Sequence, residues 1–278
     1  MFRPSGSAGA ETRADVAESR DILASHPRLF KRTAARERRV GNPARRSRGG
    51  MTRTERSADP MVSSEPPVPT TIAAENLSKS FSGRPLFSDL SFSASKGLVA
   101  VAGRNGSGKT TLLKILAGLL RPTSGRVRFE TETGALDSPS GRRLALGWAG
   151  PDLQLYGTLT GLENLLFFRR AAGRAGDDRE LRARLEAVGL AEAARRRVEE
   201  YSTGMKQRLR IAFATLFDPP ALLLDEPMAG LDVDGREVVR RAVASARERG
   251  PVLLASNDER DFEQPERRID LPGPGSRT

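Results

Sequence analysis

Gly103-Arg104-Asn105-Gly106-Ser107-Gly108-Lys109-Thr110 fits the spacing G-x-x-x-x-G-K-[ST]. It lies between an apolar run and a helical pattern. Glycines at Gly103, Gly106 and Gly108 let the backbone curl so that successive N–H groups converge on phosphate oxygens. A helix beginning near Lys109 brings its positive end to the same point. Lys109 supplies a point charge for the β- and γ-phosphates, and the Thr110 hydroxyl is suited to Mg²⁺. The pattern predicts a site for a nucleoside triphosphate. About 115 residues further on, Leu222-Leu223-Leu224-Asp225-Glu226 puts two carboxylates at the end of an apolar strand. Asp225 is then a candidate Mg²⁺ ligand opposite Thr110, and Glu226 a candidate general base for the attacking water. Paired acids before a proline also suit a solvated turn; the phosphate loop upstream favours hydrolysis.

Such residues must be positioned by elements of an α/β chain. Leu98-Val99-Ala100-Val101-Ala102 predicts a buried strand running into the glycine loop. A helix follows, with apolar positions Leu112, Leu113, Leu116, Leu119 and Leu120, ended by Pro122 and Ser124-Gly125. Strand alternation resumes at Val127 and Phe129. Residues 160–200 have a polar helical texture, and Ala221-Leu222-Leu223-Leu224 and Val252-Leu253-Leu254-Ala255 predict further buried strands. Short apolar runs alternating with helices imply a mainly parallel sheet.

Composition narrows the chemistry. The 278 residues include no cysteine, which excludes disulfides, thiolate metal sites and cysteine nucleophiles. His26 is the only histidine, and it falls outside the α/β region. The net charge of +11 is uneven: residues 1–66 hold 14 of the 46 Lys and Arg but 8 of the 35 Asp and Glu. The basic excess is therefore largely a property of this stretch, and no specific nucleic-acid partner is expected for the folded part. Rich in Arg, Ser, Pro, Gly and Ala, residues 1–66 are expected to be disordered. Three readings of them stand: a basic arm for anionic lipid or RNA, a targeting peptide, or upstream sequence ahead of a start at Met51 or Met61. The last is preferred. No run approaches the roughly 20 apolar residues needed to cross a bilayer, so any membrane role is expected through a partner.

Between the two chemical sites lies Tyr201-Ser202-Thr203-Gly204-Met205-Lys206-Gln207-Arg208, opening a helix with Leu209, Ala212, Phe213 and Leu216 on one face. This resembles the signature of ATP-binding-cassette (ABC) ATPases, written LSGGQ and followed by Q-R. Ser202, Gly204, Gln207 and Arg208 match; Tyr201, Thr203 and Met205 depart. Ala229-Gly230-Leu231-Asp232 is similar to the family's loop linking two sites across a dimer. The resemblance covers roughly residues 70–260.

That resemblance implies a P-loop core with a mainly parallel sheet, an antiparallel β edge subdomain and a helical insert at about 152–215, within a nucleotide-binding domain of residues 67–278. It implies ATP and Mg²⁺ as ligands, with ATP contacts at Gly103, Asn105, Gly106, Gly108, Lys109, Thr110 and Thr111. Metal contacts are implied at Thr110 and Asp225. Phe81 stands where the family stacks an aromatic on adenine, and it also reads as an ordinary core or surface phenylalanine. Pairing with a second such domain is implied, in a homo- or heterodimer, with Ser202, Thr203, Gly204 and Met205 reaching the partner's nucleotide and Asp232 in the dimer loop. The helical insert docks on a transmembrane permease subunit in this family, which implies a cytoplasmic position on the inner face of the membrane.

Two positions depart from the family pattern. Asn257 replaces the usual histidine at the γ-phosphate, which implies slower hydrolysis. Pro151 stands where a glutamine normally touches Mg²⁺, leaving Gln154 or Asp152 as substitutes. The chain looks like the small exporter ATPases. The haem-exporter ATPase of cytochrome c maturation is similar in size and signature, and lipid, drug or polysaccharide export remain alternatives. A non-transport ABC ATPase or weakly hydrolysing scaffold is the other reading.

Overall fold

The computed structural model describes residues 70–271, so the expected disordered basic segment 1–66 lies outside the described residues. Two sheets frame the body. β1 (Thr71–Phe81), β2 (Arg84–Ala94), β4 (Ser124–Thr131) and β5 (Gly134–Ala135) form an antiparallel sheet in the order β2-β1-β4-β5. β3 (Gly97–Ala102), β6 (Leu146–Ala149), β7 (Ala221–Asp225), β8 (Pro251–Ser256) and β9 (Arg267–Asp270) form a second sheet in the order β6-β7-β8-β3-β9. All of its pairings are parallel.

The two sheets differ as their burial demands. All six residues of β3 and of β8 are buried, so these strands are apolar without alternation. β4 alternates, burying Val127, Phe129 and Thr131 while Arg126, Arg128 and Glu130 face outward. Helix α1 (Lys109–Leu116) supplies Leu112, Leu113, Ile115 and Leu116 to a single core. That core also takes Ile72 and Phe129 from the antiparallel sheet and Val101, Leu223 and Leu253 from the parallel one. Burying each such side chain contributes about 1.5–3 kcal/mol, which is what seats α1 and the loop before it.

α1 ends sooner than the leucine spacing predicts. Gly118 is left-handed at φ 75°, and the amides of Gly118 and Leu119 turn back to the carbonyls of Ile115 and Lys114. Leu119 consequently lies outside the helix and is 45% exposed. Helix α2 (Pro139–Ala145) locks this end. Arg142, itself buried, donates from Nε to the Leu116 carbonyl at 2.9 Å and from Nη1 to the Asp137 carbonyl. Arg143 reaches the Gly118 carbonyl at 2.6 Å.

The region read as helical over 160–200 divides into α3 (Gly161–Ala171) and α4 (Asp178–Ala187), then turns and a short 3₁₀ segment at Val198–Glu200. Asn164, fully buried, holds the approach to α3 by bonding the Tyr156 amide and carbonyl at 2.9 and 3.0 Å. Within residues 168–175, Arg169 Nε donates to the Ala175 carbonyl at 2.6 Å. Two further helices complete the fold, α5 (Thr203–Ala214) and α6 (Val233–Arg247).

Candidate functional site

Three strands of the parallel sheet, β3, β8 and β7, are consecutive neighbours, and their C-terminal ends carry the chemistry. The glycine loop leaves β3. Gly108 caps α1 at φ 102°, and a Cβ there would stand 2.8 Å from Leu86. Gly103, at φ 152°, would put a Cβ 2.5 Å from Ser107 Oγ. Only glycine fits these positions without displacement. Lys109 is 7% exposed, and its Nζ donates to the Gly103 carbonyl at 2.8 Å. The same ammonium lies 3.8 Å from Glu226 Oε1.

Thr110 Oγ1 donates to Asp225 Oδ2 at 2.7 Å. Asp225 is 1% exposed, and its other oxygen, Oδ1, has no partner among the described residues. Burial pushes its pKa up, partly offset by the Thr110 hydrogen bond, while Asp152 adds a further upward push. Burial likewise raises Glu226, against the pull of the Lys109 ammonium. Glu226 itself is left-handed at φ 49°, unusual for a residue with a Cβ. Its amide is fixed to the Ala255 carbonyl at 2.8 Å, and its carbonyl accepts from Gln207 Nε2 at 3.2 Å. Strain of this kind, held by several neighbours, is characteristic of functional positions.

At the end of β8, Asn257 Nδ2 donates to Asn105 Oδ1 at 3.0 Å, joining that strand to the glycine loop. Asn105 and Gly106 are exposed at the tip of the loop, and Thr111 follows Thr110 into α1, half-buried. Asp152 pairs with Lys114 of α1 at 3.0 Å and acts electrostatically on Asp225; it and Gln154 are both exposed. Of the two residues considered beside Pro151, Asp152 is the one whose charge acts on Asp225. Phe81 ends β1, is 49% exposed, and has the Lys79 ammonium 4.7 Å from its ring centre. It is not a core residue.

The signature residues form a second cluster. Ser202 caps α5, accepting from the Met205 amide at 3.2 Å. Ser202 and Thr203 are exposed; Gly204 and Met205 are half-buried. Thr203 and Gly204 pack against Gly230 and Leu231, whose loop runs into Asp232, the cap of α6. Among the described residues no hydrogen bond joins Ser202–Met205 to Gly103–Thr110. Two exposed features lie beside this second cluster: the tip of the signature helix and Val233, which is 79% exposed.

Sequence reasoning missed Ser256, Asp261 and Arg236, which stand behind Glu226. It also missed Arg210, whose Nε donates to the Leu153 carbonyl at 3.2 Å. No short motif marks these residues, because each acts through a partner distant in sequence.

The family described as "ABC transporter" matches residues 87–229. The uncharacterized ABC transporter ATP-binding protein YxlF of Bacillus subtilis is 38% identical over 196 residues, covering 69% of this chain and 64% of that protein. The cytochrome c biogenesis ATP-binding export protein CcmA of Rhodopseudomonas palustris is 38% identical over 175 residues, covering 63% of this chain and 84% of that protein. A lantibiotic transport ATP-binding protein, SrtF of Streptococcus pyogenes, is 33% identical over 194 residues, covering 66% of this chain and 78% of that one. Among solved structures, an ABC transporter ATP-binding subunit aligns with a TM-score of 0.64 at 26% identity, covering 72% of this chain and 85% of that one. A putative ABC transporter ATP-binding protein from Pyrococcus furiosus aligns at 0.63 and 20% identity, covering 72% and 97% respectively, and so speaks to the fold alone. With the phosphate loop, the acidic strand end and the signature helix arranged as above, the chain belongs to the ABC transporter family as an ATP-binding, ATP-hydrolysing subunit.

Proposed function

We propose that this subunit works as one half of a pair of cassettes and energises export through a separate transmembrane protein. The observation that carries the reading is the convergence of Lys109 and Thr110, at the start of α1, with Asp225 and Glu226, at the end of β7, with Lys109 Nζ 3.8 Å from Glu226 Oε1 and Thr110 Oγ1 2.7 Å from Asp225 Oδ2. Lys109 and the amides of Gly103–Thr111 hold the phosphates, Glu226 takes the proton of the attacking water, and Phe81 offers its exposed ring to adenine. The Ser202–Met205 helix tip, exposed at Ser202 and Thr203, completes the site of a second copy or a related chain, and Asp232 lies on the loop between the two.

The residues also fit Mg²⁺. Asp225 Oδ1 is a buried carboxylate oxygen with no partner among the described residues, and Thr110 adds a hydroxyl, a hard-oxygen set suited to that ion. When bound, Mg²⁺ neutralises charge on the β- and γ-phosphates. Asp152, beside Pro151, pairs with Lys114 and adds negative charge near Asp225.

No helix among the described residues is long and apolar enough to cross a membrane. A separate permease, with the cassette on its cytoplasmic face, accommodates this. Haem-linked export is one cargo class, supported by likeness to CcmA; lantibiotic or other small-molecule export is supported to a similar degree by SrtF. A weakly hydrolysing or scaffold role is the second reading, favoured by Asn257 and Pro151.

Steady-state ATP hydrolysis by the full chain, with a Glu226→Gln variant beside it, tests the proposal. Turnover by the wild type, a loss of roughly 10²–10⁴-fold in the variant and an ATP-trapped dimer of the variant are expected. ATP binding without turnover in either protein would favour the scaffold.

A further inference from the structure

Behind Glu226 stands a line of three side chains. Ser256, 1% exposed at the end of β8, places its Oγ 3.3 Å from Glu226 Oε2. The same Oγ donates to Asp261 Oδ2 at 2.6 Å and accepts from the Asp258 amide at 3.1 Å. Asp261 is 5% exposed, and its Oδ1 takes a hydrogen bond from Arg236 Nη1 at 2.8 Å. Arg236 lies in the first turn of α6, the helix capped by Asp232.

A serine hydroxyl has one proton, and here it stands between two carboxylates. The proton is shared between them, more closely with Asp261 at 2.6 Å than with Glu226 at 3.3 Å, and the Asp258 amide holds Oγ from its other side. A buried aspartate is costly unless paired, and Arg236 supplies the pair. The result is a rigid oxygen against which the end of the Glu226 side chain rests. Glu226 is already fixed through its main chain by Ala255 and Gln207. At the carboxylate itself, Ser256 Oγ holds Oε2, while the Lys109 ammonium lies 3.8 Å from Oε1.

We infer that Ser256 and Asp261 are positioning residues for Glu226, tied by Arg236 to the helix that the dimer-facing loop at Asp232 begins. This rests on the reading of Glu226 as general base. Neither residue touches nucleotide in this scheme. Their effect is on the aim of the base, and a base displaced by a fraction of an ångström loses rate while the phosphates bind as before. The line also gives the Asp232 loop a mechanical route to Glu226 through α6, so that closure against a second cassette and orientation of the base share one helix.

The test is kinetic, on the full chain, with Ser256→Ala, Ser256→Thr, Asp261→Asn, the Ser256→Ala/Asp261→Asn pair and Glu226→Gln. Ser256→Ala and Asp261→Asn are each expected to lower kcat about tenfold, equivalent to about 1.4 kcal/mol of barrier, with KM for ATP within about twofold. Ser256→Thr, which keeps the hydroxyl, is expected to recover most of kcat. The double variant should be no slower than Ser256→Ala alone, because Asp261 acts through the hydroxyl already removed. Wild-type kcat in Ser256→Ala would overturn the inference, as would an additive double variant or parallel changes in kcat and KM. Should Asp261→Asn fail to fold, the Ala and Thr variants at Ser256 still decide it. If Glu226→Gln itself retains turnover, the general-base reading has failed. If Glu226→Gln is inactive and Ser256→Ala is not impaired, the positioning inference alone falls.

Discussion

Thr110 Oγ1 and Asp225 Oδ2 are 2.7 Å apart, although 115 residues separate them in the chain. Thr110 lies in the first turn of the helix that follows β3, Asp225 ends β7, and the whole of β8 lies between those two strands. A hydroxyl that donates to one carboxylate oxygen keeps its own lone pairs available, and the second oxygen, Oδ1, is left without a partner among the described residues. The pair is thus both a structural bond and a set of oxygen donors.

Thr110→Val separates these roles. Without the hydroxyl, a buried carboxylate loses its only side-chain donor among the described residues, at a cost of about 1–3 kcal/mol. Urea unfolding should show a loss in that range. The Mg²⁺ concentration giving half-maximal ATP hydrolysis should rise as well, whereas a variant with unchanged Mg²⁺ dependence would argue that Thr110 is structural only.

Asn257 tests the departure at the γ-phosphate position. Its amide bonds Asn105 Oδ1 at 3.0 Å, and the residue is exposed. Asn257→His should raise turnover several-fold, because imidazole can both reach further and carry a proton. A fall in turnover would mean that the Asn257–Asn105 bond is the arrangement this loop requires.

Phe81 is half exposed at the end of a strand, so its truncation leaves no cavity. Phe81→Ala should change stability by less than about 0.5 kcal/mol. Stacking of a base on an aromatic ring is worth about 1–3 kcal/mol, so KM for ATP should rise about tenfold or more. An unchanged KM would return Phe81 to the status of an ordinary surface residue.

Acid should weaken one specific brace. The Arg184 fork on Asp218, with Nη1 to Oδ1 at 2.9 Å, holds the Asp218 carboxyl below its ordinary value. A depressed pKa contributes stability that is complete above the unfolded value, about 3.9, and is lost as pH falls through the folded one. Because the Asp218 side chain is 56% exposed, solvent screening limits the contribution to about 1 kcal/mol or less. The stability difference between wild type and Asp218→Asn should therefore narrow between pH 6 and pH 3 in urea titrations. A constant difference would place the effect elsewhere.

What the sequence made legible follows from how local each signal is. The strand-loop-helix around Lys109, the acidic end of β7 and the helix opened by Ser202 are each written in fewer than a dozen consecutive residues. β1 and β2 were not legible in this way: β2 is largely exposed, and both strands are polar along much of their length. The hairpin between them turns on Ser82 and Gly83, at φ 48° and 77°, a turn that Ser-Gly suggests only weakly beside Asn-Gly. The over-long α1 had another cause. Leu119 and Leu120 keep the helical spacing of leucines, but Gly118 and the arginines of α2 end the helix before them. Asp261 illustrates the remaining limit, since its meaning comes from Arg236 and Ser256, and nothing in the residues beside it signals either.

The order β6-β7-β8-β3-β9 also has a consequence for how the protein is made. The strand between the phosphate loop and the acidic pair is β8, residues 251–256, later in the chain than either. Until the ribosome has delivered it, β3 and β7 have no shared neighbour, and Thr110 has no fixed distance to Asp225. A growing chain already carrying both motifs would still lack an assembled cradle. Nucleotide can therefore stabilise this domain only late in synthesis, leaving the earlier strands dependent on their own pairing or on chaperones.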